Sequence, residues 1–264
     1  MVLNLDGLEV EQIQRPKHDY ETTVVFGSFA GNPVVLKTFQ FHPPLFRWLL
    51  GWLCRREARL LALLAAAPRP GEGRAWLPEG ARQWGRWGVL MPRVAGRPIR
   101  EVRPGELPSE FIRRLESAVA IMHREKVVHL DLKNGGNILV RDGEFPVVLD
   151  FAGCISFRRW WFFGGLMTRL LGRVDRAAIL KWKREFFPES LAPEERRFLE
   201  RMERMRRWWP FPIRKFYRRG KVRVSPPLVE TSPVETSPVE TPPVETPPVE
   251  TPETTGKVQV PGKL

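Results

Sequence analysis

The stretch HLDLKNGGNILV, residues 129–140, sets Asp131 six positions before Asn137. A second aspartate, Asp150, closes the run NILVRDGEFPVVLD. Asp142-Gly143 in the middle of that run predicts a two-residue hairpin turn. With such a turn Val140 faces Phe145 and Asn137 faces Val148. Asp150 then lies just past Asn137 at the open end of the ladder, with Asp131 in the loop that enters it. Facing residues of an antiparallel pair sit ~5 Å apart, so Asn137 and Asp150 are expected to share one cation. An amide oxygen and a carboxylate suit Mg²⁺, which completes its octahedron with phosphate and water. Capping a turn or ending a strand explains either aspartate alone, but not the ordered set.

A second pair of charges points inward. Residues 45–66 predict a helix whose apolar stripe runs through Leu53, Leu60, Leu61 and Leu64. Glu57 falls within that stripe, while Arg55, Arg56 and Arg59 lie off it. An inward glutamate is costly without a partner. On the strand PVVLKTF, Lys37 shares a face with Val35 and Phe39. The two inward charges are expected to satisfy each other.

Residues 21–39 predict two β-branched strands around a glycine turn, GVLM at 88–91 a further strand, and 109–124 a helix with Phe111, Leu115, Ala118 and Met122 on one face. Strands come first and helices later, an α+β pattern.

Together these features resemble the protein-kinase-like superfamily. Val-Val-Leu-Lys37 is similar to the third-strand lysine motif, and Glu57 to its partner on the following helix. Met91 through Pro98 is similar to the hinge. His129-Leu-Asp131-Leu-Lys133 with Asn137 resembles the catalytic loop, and Asp150-Phe151-Ala152 resembles Asp-Phe-Gly. The resemblance covers roughly residues 21–155. The short second lobe is nearest to small bacterial RIO-type and lipopolysaccharide-core (Kdo-type) kinases. It implies a two-lobed fold and ATP- and Mg²⁺-dependent transfer of a phosphoryl group to a hydroxyl, on protein Ser/Thr or on a lipid-linked or lipopolysaccharide sugar. Asp131 would orient or deprotonate the acceptor, and Lys133 would offset charge on the transferring group. Lys37, held by Glu57, would bind phosphates, with Gly27, Gly31 and Met91 lining the nucleotide site. Asn137 and Asp150 would hold the metal.

Three departures stand out. FGSFAG keeps only Gly27 and Gly31 of a glycine-rich loop, Ala152 replaces a glycine, and the catalytic loop has one residue too many. Gly135-Gly136 is expected to absorb the extra residue as a bulge by adopting positive φ, and Asn134 is the alternative metal ligand. The sparse glycines and Ala152 also fit a binding module that retains the fold without phosphotransfer. Ala192-Pro193-Glu194 spells the end of an activation segment but reads as the start of a helix, since proline and acids suit a first turn. No regulated activation loop is expected.

The 264 residues carry a net charge of +13, which favours an anionic partner. Two cysteines, Cys54 and Cys154, imply no disulfide framework. The N-terminus lacks a signal-peptide pattern and no segment is apolar enough to span a bilayer. A cytoplasmic protein is expected, peripheral at the inner face of a membrane. Residues 157–219 hold 18 Arg and Lys against 7 acids and half of the chain's 28 aromatic residues. Trp160, Trp161, Trp208 and Trp209 beside arginines suit an anionic membrane surface; RNA contact, core packing, or a membrane-bound scaffold that uses the tail for partners are the alternatives. The sequence divides into an N-terminal extension (1–20), a first lobe (21–98), a second lobe (99–220) and a tail (221–264). In the tail a Val-Glu-Thr-Ser/Pro-Pro unit recurs every five residues and offers no core, so disorder is expected.

Overall fold

The computed structural model describes residues 5, 7–16, 21–67, 76–160 and 162–208. The repeat tail, Trp161 and Trp209 lie outside these residues, as does the side chain of Trp208.

The first lobe is built on an antiparallel sheet in the order β1-β2-β3-β5-β4. Its strands are β1 (Leu8–Gln14), β2 (Thr23–Phe29), β3 (Asn32–Thr38), β4 (Arg82–Trp84) and β5 (Gly88–Pro92). The expected N-terminal extension thus supplies an edge strand. Alternation along β3 and β5 sends side chains to two different cores. Val34, Leu36 and Leu90 pack with Leu5, Leu8 and Val25 on one face. Val35, Lys37, Val89 and Met91 share the other, in the register Val35↔Met91 and Lys37↔Val89. Helix α1 (Pro44–Ala65) covers that second face with Cys54, Ala58, Leu61 and Leu64.

The second lobe starts from β6 (Arg97–Pro98) and α2 (Glu110–Arg124). Phe111, Leu115, Ala118 and Met122 of α2 are buried, as the helical period predicts. After β7 (Val127–Val128) comes the hairpin of β8 (Ile138–Arg141) and β9 (Phe145–Val148), then β10 (Ile155–Ser156), which pairs with β7. Helices α3 (Gly164–Phe186) and α4 (Pro193–Trp208) complete it. A single core runs through both lobes, from Leu61 and Leu64 through Phe111, Leu115 and Phe151 to Trp182. The helix α4 begins at Pro193 with Glu194 and Glu195 in its first turn, and the Glu195 carboxylate accepts the Ala192 N–H at 3.0 Å. Ala192-Pro193-Glu194 is therefore a helix start.

The hairpin differs from expectation by one residue. Asp142 and Gly143 occupy the turn with φ of 53° and 76°, and the Glu144 N–H reaches the Arg141 carbonyl at 3.1 Å. The ladder, however, resumes only at Phe145, with Arg141↔Phe145 and Ile138↔Val148. The reason lies on α2. Arg114 donates to both the carbonyl and the carboxylate of Glu144 (3.3 and 3.0 Å) and stacks on Phe145, which draws Glu144 out of the ladder. Asn137 consequently lies opposite Leu149, whose N–H donates to the Asn137 carbonyl at 2.8 Å, with Asp150 next in line.

The extra residue of the loop is accommodated differently from the expected bulge. Two successive turns, Asn134 N–H to Asp131 carbonyl (3.2 Å) and Asn137 N–H to Asn134 carbonyl (2.9 Å), carry the chain across it. Neither Gly135 nor Gly136 has positive φ. Gly135 is required by contact instead: a Cβ there would lie 2.8 Å from Arg100 Cβ, 2.8 Å from the Trp182 ring and 3.1 Å from the Arg100 backbone nitrogen. A Cβ on Gly136 would meet mainly the movable end of Arg100. Gly135→Ala is therefore expected to lower stability by about 1–3 kcal/mol, and Gly136→Ala by much less. Denaturant midpoints check this; an unshifted Gly135→Ala midpoint would mean the loop is not tightly packed here.

Candidate active site

Three elements converge on one cleft. From β3, the Lys37 ammonium lies 2.9 Å from Glu57 Oε1 on α1 and 2.9 Å from Asp150 Oδ1 after β9. Glu57 is almost fully buried, and the same Oε1 accepts the Phe151 N–H at 3.2 Å. The neighbouring Arg56 donates to the Ala152 carbonyl. Helix α1 thereby holds the Asp150-Phe151-Ala152 segment at two points. Ala152 sits in a short 3₁₀ turn, Phe151–Gly153, and is absent from the positive-φ residues, so this conformation does not call for glycine.

Burial alone would lower the Lys37 pKa. Asp150 and then Glu57 outweigh it and hold the ammonium above its ordinary value, charged throughout. Burial pushes the Glu57 carboxyl up, against the pull of Lys37. Lys37 draws Asp150 below the ordinary carboxylate range against burial. Asp150 is thus the ionised carboxylate of the cleft, with its side chain 48% exposed.

Asp131 is in a different state. Burial first, and the charge of Asp150 second, raise its pKa to about 6. The Asn137 amide opposes this by donating to Asp131 Oδ2 at 2.9 Å and to the Asp131 carbonyl at 3.1 Å. Asn134 in turn donates to Asn137 Oδ1 at 3.2 Å. Both asparagines weighed as ligands therefore belong to one network around Asp131, Asn137 as its buried member. Lys133 is exposed two residues beyond Asp131.

The loop that carries Asp131 is held from behind by residues the sequence reading did not select. Asp175 of α3 is fully buried. Its two oxygens accept the His129 N–H (2.8 Å) and the Leu130 N–H (2.7 Å), and Oδ2 also meets His123 Nε2 at 2.9 Å. Leu130 has φ of 68°, a left-handed conformation that a leucine holds only when its surroundings impose it. The Trp182 indole N–H donates to the Leu132 carbonyl at 2.9 Å. Burial lowers the His129 pKa, and the neutral ring fits its contacts: Nε2 meets the Leu149 carbonyl at 2.9 Å and Nδ1 meets the Asp131 N–H at 3.4 Å.

The remaining expected site residues fall as follows. Met91 is buried beside Val35 on the cleft face of the sheet. Gly31, at φ 74°, makes the β2–β3 turn with Ala30. Gly27 lies within β2, where a Cβ would collide with the Glu9 carbonyl of β1. The edge strand accounts for that glycine.

The donor set fits a magnesium–nucleotide complex. Asn137 stands opposite Leu149, one residue before Asp150, its Oδ1 accepts from Asn134 at 3.2 Å, and the Asp150 carboxylate is open to the cleft. Among the described residues no group of three or more His, Cys, Asp and Glu is arranged to hold a metal. A cation here would draw most of its shell from phosphate and water.

No protein-family model and no curated protein matches the chain. Solved structures do. The crystal structure of the Rio2 kinase–ADP/Mg²⁺–phosphoaspartate complex from Chaetomium thermophilum superposes with a TM-score of 0.50 at 17% identity, over 74% of this chain and 62% of that one. Another crystal structure of the Rio2 kinase from that organism gives 0.48 at 15% identity, over 75% of this chain and 74% of that chain. The chain has a protein-kinase-like fold, with a β-rich first lobe and a helical second lobe.

Proposed function

We propose that this chain is an ATP- and Mg²⁺-dependent phosphotransferase acting on a hydroxyl acceptor. The observation that carries the reading is the convergence of Glu57 and Asp150 on Lys37, each at 2.9 Å, beside an Asp131 whose pKa burial and Asp150 raise to about 6. Magnesium on Asn137 and Asp150 would neutralise charge on the phosphates. Lys37 binds and orients the nucleotide's phosphates, and Glu57 fixes the ammonium so that it reaches them. Asp131 accepts the hydroxyl proton as the acceptor oxygen bonds to the γ-phosphorus and ADP leaves. Only residues 151–163 separate Asp150 from the start of α3, and the described ones hold a 3₁₀ turn and β10. That is too short for a long regulated segment. Lipid-linked sugars and protein Ser/Thr both supply a suitable hydroxyl.

The test is Mg²⁺-dependent ADP release and nucleotide affinity for the full chain. Wild type is expected to bind MgATP and turn it over. Asp150→Asn is expected to stay folded and lose on the order of 10–100-fold in MgATP affinity. Unchanged affinity would remove Asp150 from the site. Binding without turnover in the wild type would favour the binding-module alternative.

A second reading comes from the phosphoaspartate of the Rio2 kinase complex. Asp150 is ionised and half exposed, so its own oxygen could attack the γ-phosphorus, with ADP leaving and water later hydrolysing the acyl phosphate. A phosphoprotein cleaved by hydroxylamine would support that route, and an acid-stable phosphoester would support the first.

A further inference from the structure

We propose that the exposed face of α3, with the turn before it, docks the protein on an anionic lipid bilayer. The turn carries Trp160, Phe162 and Phe163, which are 58%, 84% and 62% exposed. The surface continues onto the helix. Leu166, Leu170 and Val174, four residues apart, form one stripe at 58%, 49% and 38% exposure. The opposite face, with Thr168, Gly172, Asp175 and Ile179, is buried.

The stripe has a basic flank. Arg169 and Arg173 each follow a stripe leucine by three residues and are exposed, as are Arg158 and Arg159 in the turn. Arg158 reaches Glu125. Between Phe157 and Ala177 the only acid is Asp175, which is buried and bonded to the catalytic loop. The exposed residues of this segment are therefore apolar, small or cationic.

That combination identifies the occupant. Rings at headgroup depth, aliphatic side chains at the acyl boundary and arginines on lipid phosphate are the three contacts an interfacial helix makes. Single-stranded nucleic acid would use the rings and arginines and leave the leucine stripe in water, since bases stack on rings and not on aliphatics. A protein partner presents mixed charge, whereas the exposed charged residues of the turn and helix stripe are all arginines, one of them bonded to Glu125 next to β7. Trp182 and Phe186, from the same basic aromatic segment, are core. The surface is thus confined to the first half of α3 and its turn.

Asp175, which holds the catalytic loop, follows Val174 directly. Docking through this face fixes the loop relative to the surface, where a lipid-linked hydroxyl would present itself. That consequence rests on the phosphotransferase reading; the docking does not.

The experiment is flotation of the full chain with vesicles of phosphatidylcholine alone or mixed with increasing phosphatidylglycerol, at low and high salt. Wild type is expected to float with anionic vesicles at low salt and weaken as salt rises. Arg169→Gln/Arg173→Gln is expected to lose about fivefold per charge in partitioning. Leu166→Ser/Leu170→Ser is expected to lose at least as much, and what binding remains should be more sensitive to salt. Both pairs should retain the wild-type melting transition and ADP release in vesicle-free buffer. Asp131→Asn should float like wild type, which separates docking from catalysis. Wild type that stays in the soluble fraction, flotation unchanged in both pairs, or RNA that displaces it from vesicles would each overturn the proposal.

Discussion

Asp175→Ala is expected to cost about 3–5 kcal/mol of stability. The substitution leaves the His129 and Leu130 N–H groups unpaired inside the protein and removes the partner of His123. It also frees Leu130 from the contact that imposes its left-handed conformation. Asp175→Asn supplies one acceptor for two N–H groups and should fall between alanine and wild type. Thermal or denaturant unfolding measures the loss. A purely structural role predicts nothing further, whereas a positioning role predicts a split in the kinetics. Lys37, Glu57 and Asp150 sit on other elements, so the asparagine variant should retain MgATP affinity while turnover falls with the placement of Asp131. Equal unfolding midpoints for wild type and Asp175→Ala would show that the loop is held by something else. Equal losses of affinity and turnover in Asp175→Asn would remove the positioning role.

Asp175 was legible by the same rule that found Glu57. Thr168, Gly172, Asp175, Ile179, Trp182 and Phe186 recur at steps of three and four and are all buried. An acid in the middle of such a stripe needs a partner, as Glu57 did. The excess of arginine and tryptophan around it drew attention to the surface of the segment and away from its inward face. The hairpin register was hidden for another reason. Asp142-Gly143 is the turn that sequence indicates, but the bulge at Glu144 depends on Arg114, 30 residues away. Local chemistry sets the turn, and a tertiary contact sets the register. Gly135-Gly136 shows the converse: two glycines in a loop suggest backbone freedom, while Gly135 is fixed by Arg100 and Trp182, which sequence proximity cannot reveal. The Lys37–Glu57 pair was legible because each residue broke its own element's period and called for a partner, whereas the second partner of Lys37, Asp150, comes from 113 residues away.

Asp131→Asn is expected to reduce turnover by about 10²–10⁴-fold and, at neutral pH, to stabilise the fold. Both outcomes follow from one cause. Burial and the neighbouring Asp150 raise the Asp131 pKa to about 6. A carboxyl whose folded pKa is raised binds its proton more tightly when folded. Its contribution to stability is fully present below the unfolded value and is lost as pH rises through about 6. Wild type at pH 7 therefore carries an ionised group in a site that disfavours the charge, and the neutral asparagine relieves it. The variant's gain over wild type should appear above that pH and vanish below the ordinary aspartate range. Turnover has the opposite dependence. Only the ionised form takes a proton, so kcat/KM, which reports the free protein, should rise with unit slope and level off above about 6. An asparagine variant less stable than wild type at pH 7 would mean that the Asn137 contact outweighs burial, and would leave Asp131 an ordinary ionised carboxylate with no tuning for proton transfer.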